Sequence, residues 1–159
     1  MSATGLRHRT SPLPFDRCDD DHKAETGELI EIHGSYRVRV ASSEADRLAA
    51  FRLRFLVFNL ELNEGLDAAH ATGYDTDQFD AVCDHLIVEH PGSGKVVGTY
   101  RLQTGAMASA NIGYYSEREF DFTPYKRLGD SVIELGRGCV HRDHRSSEVL
   151  HLLWRGIAQ

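Results

Sequence analysis

No stretch of this sequence approaches the roughly 20 consecutive apolar residues that cross a bilayer. Residues 1–18, MSATGLRHRTSPLPFDRC, lack the apolar core of a signal peptide. Cysteine is scarce and unpaired in pattern: Cys18, Cys83 and Cys139 are far apart, with no CxxC pair and no disulfide framework, which favours a reducing compartment. There is no basic excess either. With 18 Lys and Arg against 24 Asp and Glu, the net charge of -6 argues against a non-specific nucleic-acid binder, whose phosphate contacts need the opposite balance. What remains is a chain of 159 residues with ordinary apolar content, enough for one core of normal size.

Residues 1–35 hold Ser11-Pro12, Pro14, the acidic cluster DRCDDD and Gly27 with little periodicity, and read as a flexible or loosely packed N-terminal extension. YRVRV, 36–40, alternates as a strand buried on one side, with Arg37 and Arg39 on the other. The period then changes. Ser43 is a plausible N-cap with Asp46 three positions on, and Leu48, Phe51, Phe55 and Phe58 recur at helical spacing, giving a helix of about four turns. Arg54 and Glu61 fall at the edge and end of that helix, and 63–84 reads as a long loop. DHLIVEH and KVVGTYRLQ flank Pro91-Gly92-Ser93-Gly94 as a hairpin. Residues 104–131 return to loop character with a short helix near SEREFDF; SVIELGRGCV is a further strand, and a helix starts near Ser147. Strand, helix, hairpin, strand, helix is the order of a mixed α/β layer.

Four sites invite chemistry. Cys139, His141 and His144, with His151 beyond, suggest zinc, but no second cysteine pair or HExxH arrangement completes a set, and a polar turn without metal is the better reading. The strand ending at Val140 feeds through Arg142 and Arg145 into a helix whose first turn carries Ser146 and Ser147. Free amide donors there, aided by an arginine, can hold a phosphate; equally, a serine caps the helix and the arginines are solvated. Glu134 and Arg137 would point to opposite faces of a regular strand, yet Gly136 and Gly138 permit a bulge that brings both toward one cleft. An internal ion pair is the competing account. Asp75, Asp77, Asp80 and Asp84 lack the calcium-loop pattern, leaving a substrate amine or turn capping as their use.

Together FRLRFLVFNLEL, DTDQFDAVCDHLIVE, VVGTYRLQ and VIELGRGCVHRDHR, in this order and spacing, resemble the GNAT-like N-acyltransferases that make lyso-ornithine lipids, a family also described as hemolysin-like and related to the acyl-homoserine lactone synthases. The resemblance covers roughly 36–159. It implies an α/β fold with a GNAT-like mixed sheet flanked by helices, of which 36–159 is the N-terminal portion and the C-terminal part is missing. It implies an enzyme that moves a 3-hydroxyacyl group from acyl carrier protein to the α-amine of ornithine or a similar amino acid. The donor is the acyl-phosphopantetheine of the carrier, with no tightly bound cofactor. Acyl-CoA fits less well, because SSEV stands where the family's phosphate loop has glycine.

Carried over residue by residue, the resemblance puts Glu134, Arg137, Asp80 and Arg101 in the catalytic set, with Glu134 as base or water-positioning group. Arg54, Phe58, Asp77 and Phe79 fall at the amine-substrate region, and Val140, Arg142, Arg145, Ser146 and Ser147 at the donor phosphate. A cytoplasmic enzyme, in peripheral contact with the inner face of the membrane because its product is amphiphilic, is the implied setting. Two alternatives stand beside it. A synthase acylating S-adenosylmethionine usually carries tryptophans near the first loop, whereas the only one here is Trp154. A truncated module that binds acyl carrier protein without turnover would use Arg142 and Arg145 against that acidic partner.

Overall fold

The computed structural model describes residues 29–159, and the greater part of the N-terminal extension lies outside them. Its organising element is a five-stranded antiparallel sheet in sequential order: β1 (Leu29–His33), β2 (Tyr36–Val40), β3 (Asp84–His90), β4 (Lys95–Thr104) and β5 (Ile133–Val140). Residues 29–33, assigned to the extension from sequence, instead pair with β2 through a turn at Gly34. Only short LIEIH alternates there, too little to separate from its polar surroundings.

Helix α1 (Glu44–Arg54) starts where the capping pattern places it. Ser43 Oγ accepts from the Asp46 amide at 3.1 Å, and the Asp46 carboxylate accepts from the Ser43 amide at 3.1 Å, a reciprocal capping box. The helix widens into a π-helical stretch, Phe55–Glu61, an irregularity found often near functional sites. The segment read as a long loop contains α2 (Ala69–Thr72), ended by Gly73 at φ 76°, and a 3₁₀ turn, Gln78–Ala81. After β4 come α3 (Gly105–Ala110) and 3₁₀ turns at Ser116–Arg118 and Thr123–Ser131; α4 (Ser147–Ile157) follows β5.

The two helices cover opposite faces of the sheet, and the faces differ in kind. On the α4 side Val38, Leu86, Val88 and Val97 meet Val149, Leu152 and Leu153 in a fully apolar core. Gly156 lets α4 approach: a Cβ there would stand 2.9 Å from Leu86 and 3.0 Å from Val38. On the α1 side the strands contribute Arg39, His85, Glu89, Thr99, Arg101 and Gln103, all buried. Arg39, expected to face solvent, is 5% exposed. Asp46 at 2.6–2.7 Å and Glu89 at 2.6 Å neutralise it, and Arg37 also pairs with Glu89. Alternation shows a polar face; it does not show whether a helix with matching charge covers that face.

Candidate active site

Beyond the Arg39–Glu89–Asp46 group, the polar face gathers into a second cluster at the junction of α1, β4, β5 and the 75–81 segment. Arg54 sits at its centre, 1% exposed rather than at a helix edge. Its guanidinium grips Asp80 with two bonds of 2.8 and 2.9 Å and donates Nε to Asp75 at 3.0 Å. Arg101 shares Asp80 from β4, donating to it at 3.1 Å and to Asp77 at 2.6 Å. Asp77 and Asp80 also form the capping box of the 78–81 turn, so backbone and guanidinium hold each carboxylate in place.

Burial alone would raise the Asp80 carboxyl; the paired Arg54, the Asp77 amide and Arg101 outweigh it and hold the group below the ordinary range. Burial lowers the Arg101 guanidinium, and Asp77 and Asp80 more than restore it, so it too remains charged. His85 lies against the cluster with Nε2 3.2 Å from the Asp80 carbonyl, and burial keeps its imidazole below its usual value, hence neutral near pH 7.

Arg137 joins the cluster through the backbone. Between Thr99 and Arg101 the β4–β5 ladder slips, with Thr99 opposite Cys139 and Arg101 opposite Gly136, so β5 bulges at 137–138. Sequence placed the bulge at the two glycines; the residue that takes the left-handed conformation is Arg137, φ 51°, a region costly for a side chain bearing a Cβ. That turn brings its guanidinium to the α1 side, 3.6 Å from Asp75, 3.8 Å from Asp77 and 5.8 Å from the centre of the Phe58 ring. Gly138 is needed for space, since a Cβ would stand 2.3 Å from the Tyr100 ring.

Glu134 lies on the same side of β5 and is separately anchored. Its two oxygens accept from the Tyr115 amide at 2.9 Å, the Ser116 amide at 2.8 Å and the Ser116 hydroxyl. Phe79 is buried beneath the Arg101 and Arg118 guanidinium groups, 5.5 and 4.6 Å from its ring centre. Sequence reasoning missed the anchoring amides of Tyr115 and Ser116 and the buried Gln103. The alternation of Thr99, Arg101 and Gln103 along β4 was the signal available.

The predicted donor-phosphate residues form a second region. Val140, Arg145, Ser146 and Ser147 line a cleft of about 470 Å³ with Tyr100, Gly138, Cys139, Leu150 and Leu153, at the outer edge of β5. Ser146 is the cap, accepting from the Val149 amide at 3.4 Å. Arg145 is clamped by Glu61 with two bonds of 2.7 Å, and Arg142 is well exposed outside this cleft. Cys139 packs with Leu53 and Val57, while the His141 and His144 rings meet edge to face with centres 5.7 Å apart and His144 Nδ1 meets the Tyr36 hydroxyl at 3.0 Å. Among the described residues no group of three metal-ligating side chains occurs. Burial raises the Cys83 thiol to about 11 and the Cys139 thiol to about 12, leaving both protonated near neutral pH. Among the described residues no helix is long and apolar enough to cross a membrane.

The chain is similar to known acyltransferases. Residues 53–155 match the acetyltransferase (GNAT) domain family. The L-ornithine N(alpha)-acyltransferase of Brucella abortus is 40% identical over 143 residues, covering 84% of this chain and 51% of the relative. That of Rhodobacter capsulatus is 35% identical over 130 residues, covering 78% and 50%. The chain thus spans about half the length of the curated relatives it matches. A crystal structure of a candidate N-acetyltransferase from Lactobacillus plantarum shares the fold at TM-score 0.50 and 19% identity, over 78% of this chain and 65% of that one.

Proposed function

The chain belongs to the GNAT acyltransferase family, and from that premise we propose that it carries the donor cleft and amine-side residues of an N-acyltransferase. The enzyme moves a 3-hydroxyacyl group from the phosphopantetheine thioester of acyl carrier protein to the α-amine of ornithine. The acceptor comes from its similarity to the ornithine acyltransferases. The observation that carries the reading is the cleft between the outer edge of β5 and the start of α4, whose wall at Gly138 and Cys139 directly follows Arg137 of the charged cluster.

The edge of a sheet is a template for an extended, amide-bearing ligand. Phosphopantetheine has two amides, and β5 offers an outward row of backbone groups with no strand partner among the described residues. Its phosphate would meet Arg145 and the first turn of α4. The turn residues Ser146, Ser147 and Glu148 occupy the place of a glycine loop, so the short arm of a carrier fits more readily than a whole nucleotide.

The acceptor ammonium gives up a proton to Glu134, directly or through one water, while Arg137 orients the acceptor carboxylate. The amine nitrogen attacks the thioester carbonyl, and outer-edge amides of β5 hold the oxyanion. Collapse breaks the carbon–sulfur bond: the proton held at Glu134 goes to the departing thiolate, and the nitrogen gives its second proton to the freed Glu134 carboxylate and from there to water, leaving an amide and a free phosphopantetheine thiol. The raised pKa values of Cys83 and Cys139 make neither a thiolate nucleophile, in keeping with direct transfer.

Release of carrier thiol in the presence of L-ornithine tests this. Release should require the amino acid and fall by about 10²–10⁴-fold in Glu134→Gln. Undiminished release in that variant would remove Glu134 from the chemistry.

A further inference from the structure

Arg101 commits only one corner of its guanidinium to the charged cluster. Nη1 carries both of its bonds, to Asp77 and to Asp80. Nε and Nη2 have no hydrogen-bond partner among the described residues, although the side chain is only 7% exposed. Gly136, opposite Arg101 across the β4–β5 ladder, shows where they point: a Cβ added there would stand 3.7 Å from each of them. The side edge of the fork therefore looks into the space that a side chain at 136 would occupy. Burying charged donors without an acceptor is costly, and native structures rarely tolerate it without a ligand or water.

That space belongs to a small cavity of about 50 Å³, lined by Arg101, Gly136, Tyr115, Ser116 and Glu134 among others. Room of this size suits one small polar group. Glu134 does not close onto the fork. Its oxygens are held by the Tyr115 amide, the Ser116 amide and the Ser116 hydroxyl, and among the described residues the ion pairs of Arg101 are with Asp77 and Asp80 alone. Nε and Nη2 thus present two parallel N–H donors in one plane with a positive charge behind them. A carboxylate, with two oxygens in one plane and the opposite charge, matches that edge bidentately.

We propose that the Nε–Nη2 edge of Arg101 grips the carboxylate of the acceptor amino acid, and that the missing side chain at Gly136 is what admits it. The inference rests on the amine-acylation reading, in which Arg137 orients the acceptor carboxylate, and adds the guanidinium that binds it. The two arginines are neighbours: Arg101 Nη1 donates to Asp77 Oδ1, and Arg137 Nη2 lies 3.8 Å from Asp77 Oδ2. Only the α-carbon separates the carboxylate from the α-amine, so a carboxylate held at Arg101 keeps the α-nitrogen on the Glu134 side of the site. The δ-amine, at the far end of the side chain, is held away. Arg101 thereby selects amino acids over simple amines and the α-nitrogen over the δ-nitrogen.

Two readouts on the purified protein test the proposal. Nitrogen-15 NMR with acetate as probe should shift the Arg101 Nε–H and the Gly136 amide, while chloride at equal ionic strength leaves both in place. Gly136→Ala, whose Cβ meets Arg101 at ordinary contact distance, should keep the amide spectrum of the fold and weaken the acetate response by about tenfold, the value of one lost hydrogen bond to a charged group. In steady-state transfer, wild type should favour ornithine over 1,4-diaminobutane, which lacks the carboxylate, by about 100-fold in kcat/KM, as two such bonds imply. Gly136→Ala should raise KM for ornithine about tenfold, with the carrier KM and the diamine rate within about twofold. If that variant does not fold, the acetate shift and the diamine discrimination of wild type decide alone. No shift at Arg101 Nε with acetate approaching molar, an equal response in Gly136→Ala, or no preference for ornithine over the diamine overturns the proposal. If acetate binds at Arg101 while ornithine is not acylated, the carboxylate site stands and the reaction assignment falls.

Discussion

Arg54→Met removes the charge at the centre of the cluster while keeping a flexible side chain of similar length. The wild-type guanidinium is 1% exposed and makes three bonds of 2.8–3.0 Å to Asp80 and Asp75. Without it Asp75, fully buried and with Oδ2 already unpaired, keeps only the longer 3.6 Å approach of Arg137, and Asp80 keeps Arg101 at 3.1 Å. Removing one partner of a buried ion pair costs about 3–5 kcal/mol, chiefly the stranded charge that remains. For a chain this size that lowers the melting temperature by about 10–20 °C.

The deficit depends on pH, with a definite sign. Wild-type Asp80 titrates below its unfolded value of about 3.9, so its stabilisation is complete above that pH and is lost as pH falls through the folded pKa. In the variant, burial is no longer outweighed and the carboxyl rises above the unfolded value. It then destabilises most at neutral pH and ceases to do so once protonated. Urea titrations of both proteins from pH 7.5 to about 4.5 should show the gap narrowing with acid. A deficit under about 1 kcal/mol, or one constant over that range, would refute a charge-compensated cluster.

Arg137→Gly should relieve the left-handed strain at φ 51° and match or exceed wild-type stability by up to about 1 kcal/mol in urea, while ornithine-dependent turnover falls. Gly138→Ala, whose Cβ would stand 2.3 Å from Tyr100, should cost about 1–3 kcal/mol and weaken donor use, read by chemical denaturation and by the carrier KM. In a Cys18→Ser, Cys139→Ser background, alkylation of Cys83 should be slow at pH 8, where about one thiol in a thousand is ionised, and should still be climbing beyond pH 10; a plateau near pH 9 would contradict the burial of that thiol.

The elements with local signatures were legible in the sequence, and those defined by distant partners were not. Ser43 and Asp46 announce their capping box within four residues, and the Pro91–Gly94 turn separates two runs that can hardly avoid pairing. Gly136 and Gly138 marked the bulge region, yet the strained residue is Arg137, stabilised in place by Asp75 and Asp77 from 60 residues away in sequence. Arg54 and Arg39 show the same limit. A charged residue on a helix or strand reads as solvated until the chain folds carboxylates over it. Glu134 stood out as an acid within an apolar, glycine-bearing strand, but its three donors from the 115–116 turn, and Gln103 beside it, depend on how a segment without periodicity returns to β5.

The most direct test of the account is mass spectrometry of the product formed from 3-hydroxyacyl carrier protein and L-ornithine by the protein expressed from its whole reading frame. The account predicts ornithine acylated at the α-nitrogen, with the carrier thioester used in preference to acyl-CoA and product lost in Glu134→Gln. Acylation at the δ-nitrogen, a strict requirement for acyl-CoA, or intact thioester after prolonged incubation would contradict it.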